Sequence, residues 1–120
     1  MSAFSLIPGT WPLPAPIRPI LARRYGHRIA HVHCKDVRRD ILASVRAGDA
    51  SFLDAVLDGV FTVPGDGCID FGGVLAALAV ADYSGWLVVE AEQDPAKAPP
   101  LAYARLGFGH LSAAAARAGL

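Results

Sequence analysis

The 120 residues of this chain, just over half of them apolar, suffice for one soluble globular domain and no more. Eleven Lys and Arg against eleven Asp and Glu give zero formal net charge. That balance removes the basic footprint of a nucleic-acid or anionic-membrane binder and leaves a neutral polar small molecule as the open class of ligand. Apolar stretches such as Val74 to Ala81 fall far short of the roughly 20 residues that a membrane span requires.

In chain order, residues 1–20 stand apart, because Pro8, Pro12, Pro14, Pro16 and Pro19 each remove a backbone donor. They are expected to be extended, or foreign to a fold that occupies residues 21–120. The start, "MSAFSLIPGTWPLP", has no basic stretch leading into a clean apolar core, so a cytosolic location is expected. Cys34 and Cys68, far apart and without a CxxC pair, then read as reduced.

The first strand candidate runs from Arg28 to Cys34, rich in Ile, Val and His and preceded by Gly26. Ile41, Leu42 and Val45 hint at a short helix. A clearer one follows in "SFLDAVLDGV", where Phe52, Leu53, Val56, Leu57 and Val60 share a face and Ser51 with Asp54 resembles a capping box. "FTV" at 61–63 predicts a very short strand and "PGDG" at 64–67 a turn. Phe71, Val74, Leu75 and Leu78 carry helical spacing toward Asp82, "GWLVVEAE" from Gly85 to Glu92 reads as a buried strand, and a last helix from about Pro99 to Ala118 places Leu101, Ala104, Phe108 and Leu111 on one stripe. This alternation predicts an α/β fold whose strands form a parallel sheet.

Strands of a parallel sheet are covered on both faces and should be continuously apolar, which these are not. In the first, Ile29, His31, His33 and Lys35 share one face and Ala30, Val32 and Cys34 the other; in the last, Trp86, Val88, Glu90 and Glu92 oppose Leu87, Val89 and Ala91. Each strand turns polar on one face toward its C-terminal end, where α/β folds keep their active sites. Two imidazoles and two carboxylates there suit divalent manganese, cobalt or zinc. Taken singly, His31 reads equally well as a hydrogen-bonded core histidine, and Glu92 as a side chain reaching solvent. His31 and His33, about 6.5 to 7 Å apart along a strand, either share one ion or leave it to the one nearer the mouth. Amidohydrolases use such a pair, but need further histidines downstream, where only His110 follows.

"RYGHRIAHVHCKDVR", "SFLDAVLDGVFTVPGDGCIDF" and "DYSGWLVVEAEQDPAKAPPLAYA" together resemble the inosose dehydratases of the xylose isomerase-like TIM-barrel superfamily, over about Arg23 to Leu120. The resemblance implies the C-terminal part, about three βα units, of a (β/α)8 barrel. The implied activity is dehydration of 2-keto-myo-inositol, a cyclic polyol ketone, in myo-inositol catabolism, with manganese or cobalt and sometimes glutathione as cofactors. Carried over residue by residue, the metal-binding histidine falls on His33 and the metal-binding glutamate on Glu90. His31 becomes a deeper supporting residue, and Lys35 and Arg38 fall where relatives place substrate contacts. "VPGDG" becomes a loop in which Gly65 and Gly67 let the backbone approach the site. The other two ligands of the superfamily's four belong to earlier strands, so the chain is expected to be inactive alone. A sugar isomerase or epimerase of the same superfamily, or a non-catalytic fragment that self-associates into a homo-oligomer through its exposed sheet, are the alternative readings.

Overall fold

In the computed structural model, which describes residues 19–48 and 51–120, the helix α4 (Phe71–Val80) is the element around which the rest packs. It is apolar on nearly every side, and Phe71, Val74, Leu75, Ala77 and Leu78 are all buried while Val80 is exposed. Asp70 caps it by accepting a 2.9 Å hydrogen bond from the Gly73 amide. The helices α1 (Pro19–Tyr25) and α5 (Pro100–Ala118) lie against it. Its remaining side faces a two-stranded parallel ladder of β1 (Val32–Cys34) and β4 (Leu87–Val89), paired Val32 to Leu87, His33 to Val88 and Cys34 to Val89. Val32, Cys34, Phe71, Val74, Leu75, Leu78, Leu111 and Ala114 make this core.

Between β1 and α4 the chain makes an excursion with a core of its own, formed by Val37, Val45, Ala55, Val60 and Phe61. A two-residue strand β2 (Asp36–Val37) leads into α2 (Arg39–Ala47), then α3 (Phe52–Leu57) and β3 (Phe61–Thr62). The expected capping box is present: the Asp54 amide donates to Ser51 Oγ at 3.2 Å, and the Ser51 amide donates to Asp54 Oδ2 at 3.3 Å. Gly59, at φ +85°, turns the chain back after α3.

The "FTV" strand forms, but its partner differs from expectation. β3 runs antiparallel to β2, with Asp36 opposite Thr62 and Val37 opposite Phe61, so the parallel ladder among the described residues has two strands rather than three. The cause is Asp36, a carboxylate buried to 1% exposure. Its carboxylate accepts from the amides of Val37 (2.8 Å), Ile69 (2.9 Å) and Gly65 (3.1 Å), which folds the 64–69 loop back over β2.

The two parallel strands are also shorter than their apolar runs. A 3-10 turn at Gly26–Arg28 takes the start of the first, and all three residues of β4 stay half-buried because α4 and α5 cover one face of the ladder. On α5 the buried positions are Gly107, Leu111 and Ala114, whereas Leu101 and Phe108 of the expected stripe are exposed. Gly107 sets this roll: a Cβ there would come within 2.8 Å of Val63 and 2.9 Å of Val89. Gly119 at φ +83° ends the helix.

The proline-rich segment lies outside the described residues, except that Pro19 and Ile20 open α1. Among the described residues no helix is long and apolar enough to cross a membrane. Cys34 and Cys68 are both free, and burial pushes the Cys34 thiol up to about 12.

Two glycines in one helix should respond oppositely to alanine. At Gly109 a Cβ meets nothing within 4 Å, so Gly109→Ala should stabilise by about 0.5–1 kcal/mol through helix propensity. Gly107→Ala should destabilise by about 1–2 kcal/mol despite the same propensity gain, because overpacking outweighs it. Urea unfolding of the two variants checks both signs.

Candidate active site

The β1–β4 register decides what meets at the C-terminal mouth of the ladder. His33 pairs with Val88, and the Glu90 amide donates to Cys34 O at 3.0 Å, so the pairing continues past the strand ends. Two residues further on, Glu90 lies opposite Lys35 and diagonal to His33, on the same face as both. The side chains close accordingly. His33 Nδ1 and Glu90 Oε2 share a hydrogen bond of 2.8 Å, while Lys35 Nζ donates to Glu90 Oε1 at 2.8 Å and reaches Glu92 Oε1 at 3.3 Å.

Lys35 is the unusual member, because its side chain is only 10% exposed and lysines are rarely buried unless paired. Here it is paired twice, and its ammonium lies 4.9 Å from the centre of the Phe61 ring on β3. Burial works to raise the Glu90 carboxyl, but the hydrogen bonds from Lys35 and His33 and their charges outweigh it and hold Glu90 below the usual carboxylate range.

Of the residues singled out by sequence, His33, Lys35, Glu90 and Glu92 thus form one cluster. His31 sits beside it, its ring 5.1 Å from that of His33 at 58°. Arg38 is engaged elsewhere. Its guanidinium donates to Gly59 O (2.9 Å), Asp66 Oδ2 (2.6 Å), Thr62 Oγ1 (3.3 Å) and the Tyr103 hydroxyl (3.4 Å). Thr62 donates in turn to Asp66 Oδ2 at 2.6 Å and accepts from Gln93 Nε2 at 3.3 Å. Arg38 therefore braces the "PGDG" loop against β3 and α5, and Gln93 links that brace to the strand end carrying Glu90.

Sequence reasoning passed over Asp36, Thr62, Asp66, Gln93 and Tyr103. Asp66 was legible only as turn chemistry, and Asp36 only as an acid following a lysine. The loop glycines act by different means: Gly65 has φ +94°, whereas a Cβ on Gly67 would collide with the Asp36 carboxylate. Among the described residues no group of three or more His, Cys, Asp or Glu side chains is placed to hold a metal ion, so His33 and Glu90 stand as a pair.

Residues 9–114 match the family model described as xylose isomerase-like TIM barrel. The chain is 60% identical over 99 residues to the rhizopine catabolism protein MocC of Rhizobium meliloti, covering 82% of this chain and 30% of that protein. It is 56% identical over 95 residues to the inosose dehydratase of Salmonella typhimurium (79% of this chain, 31% of the enzyme). With the inosose dehydratase of Halalkalibacterium halodurans it shares 60% over 85 residues (71% and 28%). The matches to these curated relatives span less than a third of the relatives' length.

The Asp66 brace predicts an acid response. Burial tends to raise its carboxyl, but hydrogen bonds from Thr62 and Arg38 and the Arg38 charge prevail and lower it. A carboxyl whose pKa is depressed by folding adds stability above its unfolded value, roughly pH 4, and loses it as pH falls through the folded value. Asp66→Asn should therefore cost about 1 kcal/mol or less at pH 7, the group being a third exposed, and less at pH 2 than at pH 7. Urea titrations of both proteins at the two pH values check it.

Proposed function

Because the chain belongs to the xylose isomerase-like TIM-barrel family, we propose that it supplies the metal-binding histidine and glutamate of an inosose dehydratase-type site, acting on 2-keto-myo-inositol in inositol catabolism. The observation carrying this reading is the 2.8 Å approach of His33 Nδ1 to Glu90 Oε2 at the C-terminal ends of two adjacent parallel strands. Close similarity to inosose dehydratases supports the choice of substrate.

The pair fits a divalent ion as two of its ligands. An imidazole nitrogen and a carboxylate oxygen are the donors that manganese, cobalt and zinc accept. When bound, such an ion supplies Lewis-acid polarisation of a ketone oxygen.

Elimination of water requires removal of the proton next to the ketone and protonation of the departing hydroxyl. Lys35, paired with Glu90 and Glu92, sets a positive charge beside the histidine and glutamate that would favour an oxygen-rich substrate. His31, beside His33, extends the polar wall. Arg38, committed to Asp66, Gly59 and Thr62, acts by shaping the loop. The remaining ligands and the base fall to the portion of the relatives beyond the matched third.

A chimera tests the reading. With its matching segment replaced by this chain, the Halalkalibacterium halodurans enzyme should dehydrate 2-keto-myo-inositol in the presence of Mn2+. His33→Ala or Glu90→Gln in that chimera should lower kcat/KM by about 100-fold or more, several kcal/mol of lost stabilisation. A folded chimera that epimerises ketoses without dehydrating would replace this function by the isomerase one. Full activity in both variants would overturn the assignment of His33 and Glu90.

A further inference from the structure

The two oxygens of Glu90 have different partners. Oε2 meets His33 Nδ1 and Oε1 meets Lys35 Nζ, each at 2.8 Å. A glutamate has three side-chain torsions, and this one is a third exposed, so a single hydrogen bond to His33 would leave its carboxylate free to swap oxygens or turn to solvent. The second contact fixes the plane of the group. We propose that Lys35 is a positioning residue that divides the oxygens of Glu90, holding Oε1 on its ammonium so that Oε2 alone is presented beside the His33 imidazole.

Lys35 is suited to this because it is itself held from three directions. Glu92 Oε1 is a second ion-pair partner at 3.3 Å, the Phe61 ring lies beneath the charge at 4.9 Å, and the side chain is only 10% exposed. An exposed lysine would wander among rotamers and could not orient a carboxylate. The arrangement also gives the β2–β3 ladder a task. By pairing antiparallel to the continuation of β1, β3 brings Phe61 back under a lysine that the same stretch of chain displays. Asp36 and the Arg38 brace hold the loop beside that ladder, so they act on Glu90 through Phe61 and Lys35 in turn. For a divalent ion the consequence is single-oxygen ligation by Glu90, since its other oxygen is engaged. The purpose of the device rests on the metal-binding reading above; its geometry does not.

The test is metal-free nuclear magnetic resonance on the isotope-labelled full chain. In the unmodified protein the Lys35 ammonium should give a resolved, slowly exchanging 15N–1H signal at neutral pH, and the His33 Nδ1 proton shared with Glu90 should be visible. Lys35→Met should abolish the His33 signal while amide shifts away from β1 and β4 stay unchanged, and Lys35→Arg should retain it. Persistence of the His33 signal in folded Lys35→Met overturns the proposal. So does a fast-exchanging, freely rotating ammonium in the unmodified chain, a reading that needs no variant to fold. Mn2+ is then added to the unmodified chain. Broadening of the His33 and Glu90 side-chain signals supports the ligand role for which the device serves. No broadening, with the metal-free signals as expected, sinks the metal reading for this chain but leaves the division of the Glu90 oxygens standing.

Discussion

Everything at the mouth of this fold depends on the parallel register of β1 on β4. Pairing His33 with Val88 fixes where Glu90 falls, and a shift by one residue would turn the glutamate to the face occupied by Val89. The apolar face of the same ladder enforces the register. Val32, Cys34, Leu87 and Val89 pack on α4 and α5, so the polar residues between them are confined to the opposite face.

Around that ladder one buried and one partly buried polar anchor replace the continuous sheet that the strand pattern predicts. Asp36 satisfies three backbone amides of its own turn and the 64–69 loop, and Arg38 gathers Gly59, Thr62, Asp66 and Tyr103. A buried carboxylate and a guanidinium this fully engaged are costly to disturb, because each partner removed leaves an orphaned polar group. Their effect is to shape one loop and one antiparallel ladder at the edge of the site. Arg38, which the resemblance sets among the substrate contacts, is held in that network by Gly59, Thr62, Asp66 and Tyr103.

Within the described residues the cluster brings together His33, Lys35, Glu90 and Glu92 at the ends of the two parallel strands. The matched region spans under a third of the length of these relatives. The half-buried β4 and the exposed Trp86 belong with that picture: two strands expose on one face what a closed barrel would cover.

The sequence by itself determined the α/β character, the helices with their capping box at Ser51 and Asp54, and the polar ends of the two parallel strands. Those features are set by local periodicity and by neighbours three or four residues apart. It also marked His33, Glu90 and Lys35, since a charged or imidazole side chain in an apolar strand needs a partner. Only the tertiary structure decided that "FTV" folds antiparallel on β2, that Gly107 rather than Leu101 or Phe108 faces the core, and that Arg38 pairs with Asp66. These outcomes turn on the burial of Asp36 and on the closeness of Val63 and Val89 to α5, contacts between residues far apart in the chain that no local pattern encodes.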